Sequence, residues 1–125
     1  MAEIIYKELS YKINGLLFKI HNELGRYCRE KQYADAFEKL LKSENLSFER
    51  EKELPMKMIE NRFTNKTDFV VDGKIVLEFK AKPFIMKEDY YQTQKYLQAS
   101  KRKLGLIVNF RNKYLKLIRI IRIDS

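Results

Sequence analysis

Two apolar, β-rich runs, Thr67 to Val71 and Lys74 to Ala81, meet at the dipeptide Asp72-Gly73. A dipeptide of this kind between such runs is the strongest short-range hairpin signal, because a tight type I′ turn needs positive φ at both central residues. The hairpin puts Asp68 on one strand and Glu78 and Lys80 on its partner. Side chains alternate faces along a strand, so Val76, Glu78 and Lys80 share one face while Ile75, Leu77 and Phe79 share the other. A carboxylate and an ammonium thus replace apolar residues at one end of a face that begins with valine. The pattern fits a solvated edge strand with a cross-strand charge pair, and it equally fits a metal site.

The surrounding chain can be read in order. Ile13, Leu16, Leu17, Ile20 and Leu24 recur at helical spacing, with Ser10 as N-cap and Gly25 as stop. His21 lies near the boundary of that face, where a structural or solvated role is the expectation. A second helix is predicted from about Glu30 to Glu44, with Tyr33, Ala34, Phe37, Leu40 and Leu41 inward and Asn45 in a left-handed C-cap. Glu30 falls on or beside that inward face; a first-turn glutamate is favoured by the helix dipole, and it can also be a carboxylate aimed at a site. Phe48 to Lys57 reads as a strand, with Pro55 marking an edge or an end, and Glu60-Asn61 as a turn. Pro83 stops the run that follows the hairpin. Lys87 to Lys101 reads as a helix with Tyr90, Thr93, Tyr96 and Leu97 on one face and Gln92 beside it. Leu104 to Phe110 reads as a strand buried on both faces. Leu115 to Ile123 alternates as Leu117, Arg119, Ile121 and Ile123, interleaved with basic residues.

The 125 residues point to a single domain, with enough apolar sequence for a core of its own. One cysteine, Cys28, excludes an intrachain disulfide, and with one histidine it leaves no four-ligand Cys/His zinc site. No apolar run approaches the roughly 20 residues of a membrane span and the N-terminus lacks the pattern of a secretion signal, so no membrane partner and a cytoplasmic location are expected. The net charge is +9, and from Lys101 to Ser125 eight Lys or Arg stand against one acid. That excess suits contacts to phosphate from Lys101, Arg102, Lys103, Arg111 and Lys113.

Helix, helix, three strands, helix, strand, strand, with Asp68 on the second strand, Glu78-Phe79-Lys80 on the third and Glu30 on the preceding helix, resembles the PD-(D/E)XK nuclease superfamily. Within it, the chain resembles the small GxxExxY group from about Ser10 to Phe110. The resemblance runs through Lys19 to Gly25, through Glu30-Lys31-Gln32-Tyr33 as the Glu-x-x-Tyr element, and through Val76 to Ala81. It continues with Gln92 ahead of Tyr96-Leu97 and with Leu104 to Phe110. Tyr27 stands where the group has a glycine, although Gly25 is nearby.

The resemblance implies an α/β fold of the α+β type, a restriction-endonuclease-like core with helices flanking a mixed central sheet. It also implies a phosphodiesterase site. Asp68, Glu78, the Phe79 carbonyl and Glu30 would hold Mg²⁺, with Mn²⁺ as substitute. Lys80 would orient or help deprotonate a water and stabilise the phosphate, and Gln92 would position a water or phosphate oxygen. Nucleic acid, DNA foremost, is then the expected partner, and a homodimer would allow two strands to be cut. Two other classes share these residues: a catalytically silent nucleic-acid-binding module, and a protein-interaction or assembly domain docking through the Leu115 to Ile123 edge.

Overall fold

The computed structural model describes residues 4–53 and 66–124. Its elements follow the order α1 (Lys7–Leu24), α2 (Glu30–Ser43), β1 (Phe48–Glu53), β2 (Lys66–Val71), β3 (Ile75–Lys80), α3 (Lys87–Ser100), β4 (Leu104–Asn109) and β5 (Lys116–Ile121). The five strands form one mixed sheet in the order β1-β2-β3-β4-β5. Only β3 and β4 are parallel, and α3 is the crossover between them; the other pairs are antiparallel. This is the α+β arrangement the sequence predicts. No helix among the described residues is long and apolar enough to cross a membrane.

The hairpin forms as expected. Asp72 and Gly73 have φ of 53° and 63°, and the Lys74 N–H donates to the Val71 carbonyl at 3.0 Å, closing the turn. Alternation then sorts the strands into two faces. Phe69, Val71, Ile75, Leu77, Phe79, Leu104, Leu106 and Val108 pack against α1 and α2, while Val70, Val76, Ile107 and Ile120 pack against Tyr96 and Leu97 of α3. Under α2, Phe37, Phe69, Phe79 and Phe110 form a chain of ring contacts with centroids 5.0 to 5.4 Å apart. Tyr33 stacks on Phe110 at 4.0 Å. All six β4 residues are buried, as a strand between two layers of helix requires.

Several local expectations change. Helix α1 starts a turn earlier than its supposed cap, at Lys7, so Ser10 is inside it, buried, with its hydroxyl accepting from Arg119 Nη1 at 3.1 Å. On α3 the buried face carries Asp89 where Tyr90 was expected, and Tyr90 is exposed. The reason is polar: Asp89 accepts the Met86 N–H at 2.7 Å at the helix start and pairs with Lys80 at the end of β3 and Lys82 in the loop after it. In β5, which ends at Ile121, Ile120 is buried while Ile121 and Ile123 are exposed. α3 covers the 118 and 120 side of this edge strand, while Leu117, on its other side, packs half-buried against the core under α1 and α2. Beyond it, the Gln94 side chain accepts the Ile123 N–H at 2.8 Å and donates to the Ile121 carbonyl at 3.1 Å. β1 ends at Glu53 among the described residues; Pro55 and the Glu60-Asn61 turn lie outside them.

Candidate active site

The site begins where backbone pairing between β2 and β3 stops. Val71 faces Ile75, Val70 faces Val76 and Phe69 faces Leu77, and there the paired positions end. Side chains take over from the backbone. Thr67, buried, donates its hydroxyl to the Leu77 carbonyl at 3.0 Å, and Asp68 Oδ2 accepts the Phe79 N–H at 2.6 Å. β1 stays in register with β2 on either side of Asp68, but Glu51, the residue that would face it, has φ of 54° and makes no pair. Asp68 is thus gripped through one oxygen in a gap that two strands would ordinarily close.

Glu78 follows on the face shared with Lys80. Burial, and after it the nearby Asp68 charge, pushes its carboxyl up to about 7. Burial also raises Asp68, against the Phe79 N–H and the Lys80 ammonium, which favour its ionised form. Glu30, at the first position of α2, is raised by burial too, with Lys80 opposing the rise, Asp68 adding to it and the Ala81 backbone N–H opposing it. These mutual effects place Glu30, Asp68 and Lys80 in one electrostatic neighbourhood. Glu30, Asp68 and Phe79 together line a cleft of about 260 Å³. Its other walls are Lys31 and Ala34 of α2 and Arg50 and Glu51 of β1.

Three carboxylates do not close on one point: among the described residues no group of three or more His, Cys, Asp or Glu side chains is close enough to hold a metal ion. Asp68 takes the Phe79 N–H and lies near enough to Glu78 for its charge to raise the Glu78 carboxyl. Two half-buried carboxylates that repel each other and face no histidine or thiolate are a donor set suited to a hard divalent cation that retains several waters. Glu30 stands beside that set, across the cleft from Asp68.

Gln92, on α3 one turn after Asp89, lines a pocket of about 210 Å³ with Glu88, Tyr91 and Lys95. The expected basic cluster divides in two. Because β4 runs parallel to β3, with Leu104 beside Ile75 and Asn109 beside Lys80, the residues before β4 lie at the turn end of the hairpin. Arg102 Nε donates to the Gly73 carbonyl at 3.3 Å there, and Lys101 and Lys103 flank it. That end is five residue steps, roughly 16 Å, from Lys80. Arg111 and Lys113, which follow β4, lie at the carboxylate end.

Sequence reasoning missed several contributors. Asp89 reaches Lys80 Nζ at 3.7 Å and Lys82 Nζ at 2.6 Å, and these lysines hold its carboxyl below the usual range against the effect of its burial. Arg50 pairs with Asp35 at 2.8 Å and lies 5.7 Å over the Phe69 ring. Tyr33, already placed in the core, also donates its hydroxyl to the Gly25 carbonyl and accepts the Cys28 N–H at 3.2 Å, which fixes the loop leading to Glu30. His21 is structural, as expected: buried, with Nε2 at 3.1 Å from the Phe110 carbonyl and 3.0 Å from that of Asn112. Only Tyr33 carried a signal, its place in Glu-x-x-Tyr; the others depend on which strand runs beside which.

A hairpin opened around an Asp, with Glu-x-Lys on the next strand and a helical Glu beside it, defines a nuclease-like site on a mixed sheet. The sequence profile of the PD-(D/E)XK nuclease superfamily matches residues 7–122, and the chain belongs to that superfamily. Among solved structures, the alkaline exonuclease LHK-Exo from Laribacter hongkongensis has a similar fold, with a TM-score of 0.52 and 13% sequence identity. The likeness covers 98% of this chain and 72% of that one. No curated protein matches the chain in sequence.

Proposed function

We propose that the chain is a metal-dependent nuclease that hydrolyses phosphodiester bonds in nucleic acid, DNA foremost, as one catalytic domain of the GxxExxY kind. The observation that carries this reading is the opened β2–β3 hairpin, where Asp68, close enough for its charge to act on Glu78, lines a cleft together with Glu30. Asp68, Glu78 and the Phe79 carbonyl would hold Mg²⁺, or Mn²⁺ in its place, which when bound supplies an acidified water and offsets charge at the phosphate. The Phe79 N–H fixes one Asp68 oxygen and leaves the other for binding. Lys80, on the same face as Glu78 and paired with Asp89 at 3.7 Å, is set to donate to a phosphate oxygen as charge grows there. Glu30, across the cleft from Asp68, is positioned to accept a hydrogen bond from a water in that space.

The test is cleavage of end-labelled single-stranded, duplex and branched DNA, and of RNA, by purified protein with Mg²⁺ or Mn²⁺. Glu78→Gln and Lys80→Ala should lower the rate by a factor on the order of 10² or more while circular dichroism stays unchanged. Equal cleavage by wild type and both variants would expose a contaminant and sink the assignment. Salt-dependent binding by a wild type that cuts none of these substrates would assign the silent binding module instead.

A further inference from the structure

Three loops meet at the carboxylate end of the sheet. Because β3 and β4 are parallel, the β3–α3 and β4–β5 loops both stand there, and the α1–α2 loop joins them through Tyr33, which bonds Gly25 and stacks on Phe110; side chains tie the three together. His21 bonds the Phe110 and Asn112 carbonyls, Asn109 Nδ2 donates to the Lys82 carbonyl at 2.8 Å, and Tyr33 holds Gly25. Each loop exposes one large ring: Tyr27 is 74% accessible, Phe84 76% and Tyr114 78%. Rings this exposed gain nothing for the core. Two of them carry a neighbouring cation over the ring face, Arg26 at 4.9 Å from the Tyr27 centroid and Lys113 at 5.6 Å from that of Tyr114. Beside Lys113, Arg111 has a buried Nε with no hydrogen-bond partner, a donor still lacking an acceptor.

We infer that these loops form a binding rim for single-stranded nucleic acid, in which Tyr27, Phe84 and Tyr114 stack unpaired bases while Arg26, Arg111 and Lys113 take phosphates. The inference rests on the nuclease reading for the role of the carboxylates beside it, and it narrows the substrate to single-stranded or frayed strands. Exposed rings interleaved with cations suit a strand whose bases present their faces; an intact duplex hides those faces in its stack and offers only edges and phosphates. A purely electrostatic surface would need the cations and not the rings. Lys101 and Lys103, at the far end of the sheet, play no part in it.

Fluorescence anisotropy tests this in EDTA, so that binding is read apart from cleavage, with a labelled oligothymidylate of about 15 nucleotides and a mixed-sequence duplex of the same length. Tyr27→Ala, Phe84→Ala and Tyr114→Ala should each weaken oligothymidylate binding about tenfold, and duplex binding by less than about twofold. Tyr27→Phe and Tyr114→Phe keep the ring and should bind as wild type does, which separates stacking from a folding defect. The rim is overturned if the alanine variants match wild type on the single strand, or if both substrates weaken equally. It is also overturned if the wild type binds neither while the ring changes alter its sedimentation coefficient, which would make this face a protein contact. A chain that binds single strands through the rings but never cuts would fail the nuclease reading and leave the rim standing.

Discussion

Glu78 is the residue on which folding and function pull in opposite directions. Its carboxyl titrates near 7 in the folded chain and at the ordinary 4.5 when unfolded. Between those values the native state keeps a proton that the unfolded chain has released, so the contribution of Glu78 to stability falls as pH rises from about 4.5 to 7 and changes no further above that range. Glu78→Gln should abolish most of that fall. In EDTA at pH 8 we expect the variant to be more stable than wild type by on the order of a few kcal/mol in urea unfolding, and near equal at pH 4.5. The same proton competes with a cation, so the rise in melting temperature on adding Mn²⁺ should be larger at pH 8 than at pH 5.5, and absent in Glu78→Gln. Glu78 and Lys80 were legible in the sequence because a period of two fixes their shared face whatever the rest of the sheet does. Asp89 was not, because three residues into a helix it looks like an ordinary first-turn acid until the strand beneath it is known.

At the scale of elements, the work of aiming Glu30 falls to a tyrosine three residues along. Tyr33 is fully buried, and its hydroxyl closes the turn before α2 at both Gly25 and Cys28. Tyr33→Phe keeps the stack on Phe110 but leaves those two backbone groups without their partner, for a loss of about 1–3 kcal/mol in denaturant unfolding. Cleavage should drop as well, with kcat falling more than KM rises. On the other face, α3 sits so close to β4 that a Cβ on Gly105 would lie 2.8 Å from Thr93 Cγ2 and 3.3 Å from Leu97 Cδ1. Gly105→Ala should therefore destabilise by about 1–3 kcal/mol, read as a lower midpoint with unchanged slope. The order and type of the elements were written in apolar periodicity, and they formed as expected. Packing was not: a lone glycine in a strand carries no mark of which helix crosses it, and the outer strand's alternation did not reveal that Ile120, rather than Ile121 or Ile123, is the isoleucine buried under α3.

Across the whole molecule, charge that is contiguous in sequence is split between opposite ends of the sheet. Lys101→Ala with Lys103→Ala should leave nucleic-acid affinity and cleavage unchanged, whereas Arg111→Ala with Lys113→Ala should weaken binding and lower the slope of log affinity against log salt by about one to two. Sequence could show the basic excess but not this division, because it follows from the parallel pairing of β3 and β4 rather than from any residue between Lys101 and Lys113. The sheet has a second asymmetry at its outer strand. The Gln94 amide gives to the Ile121 carbonyl and takes from the Ile123 N–H, the two bonds that one residue of a parallel neighbour would make. The chain thereby supplies its own sixth strand in miniature, a single side chain standing in for a backbone. Removing it by Gln94→Leu would leave the architecture intact and uncover a short template for other chains, so the first property lost on concentrating that variant would be its dispersal in solution, not its shape.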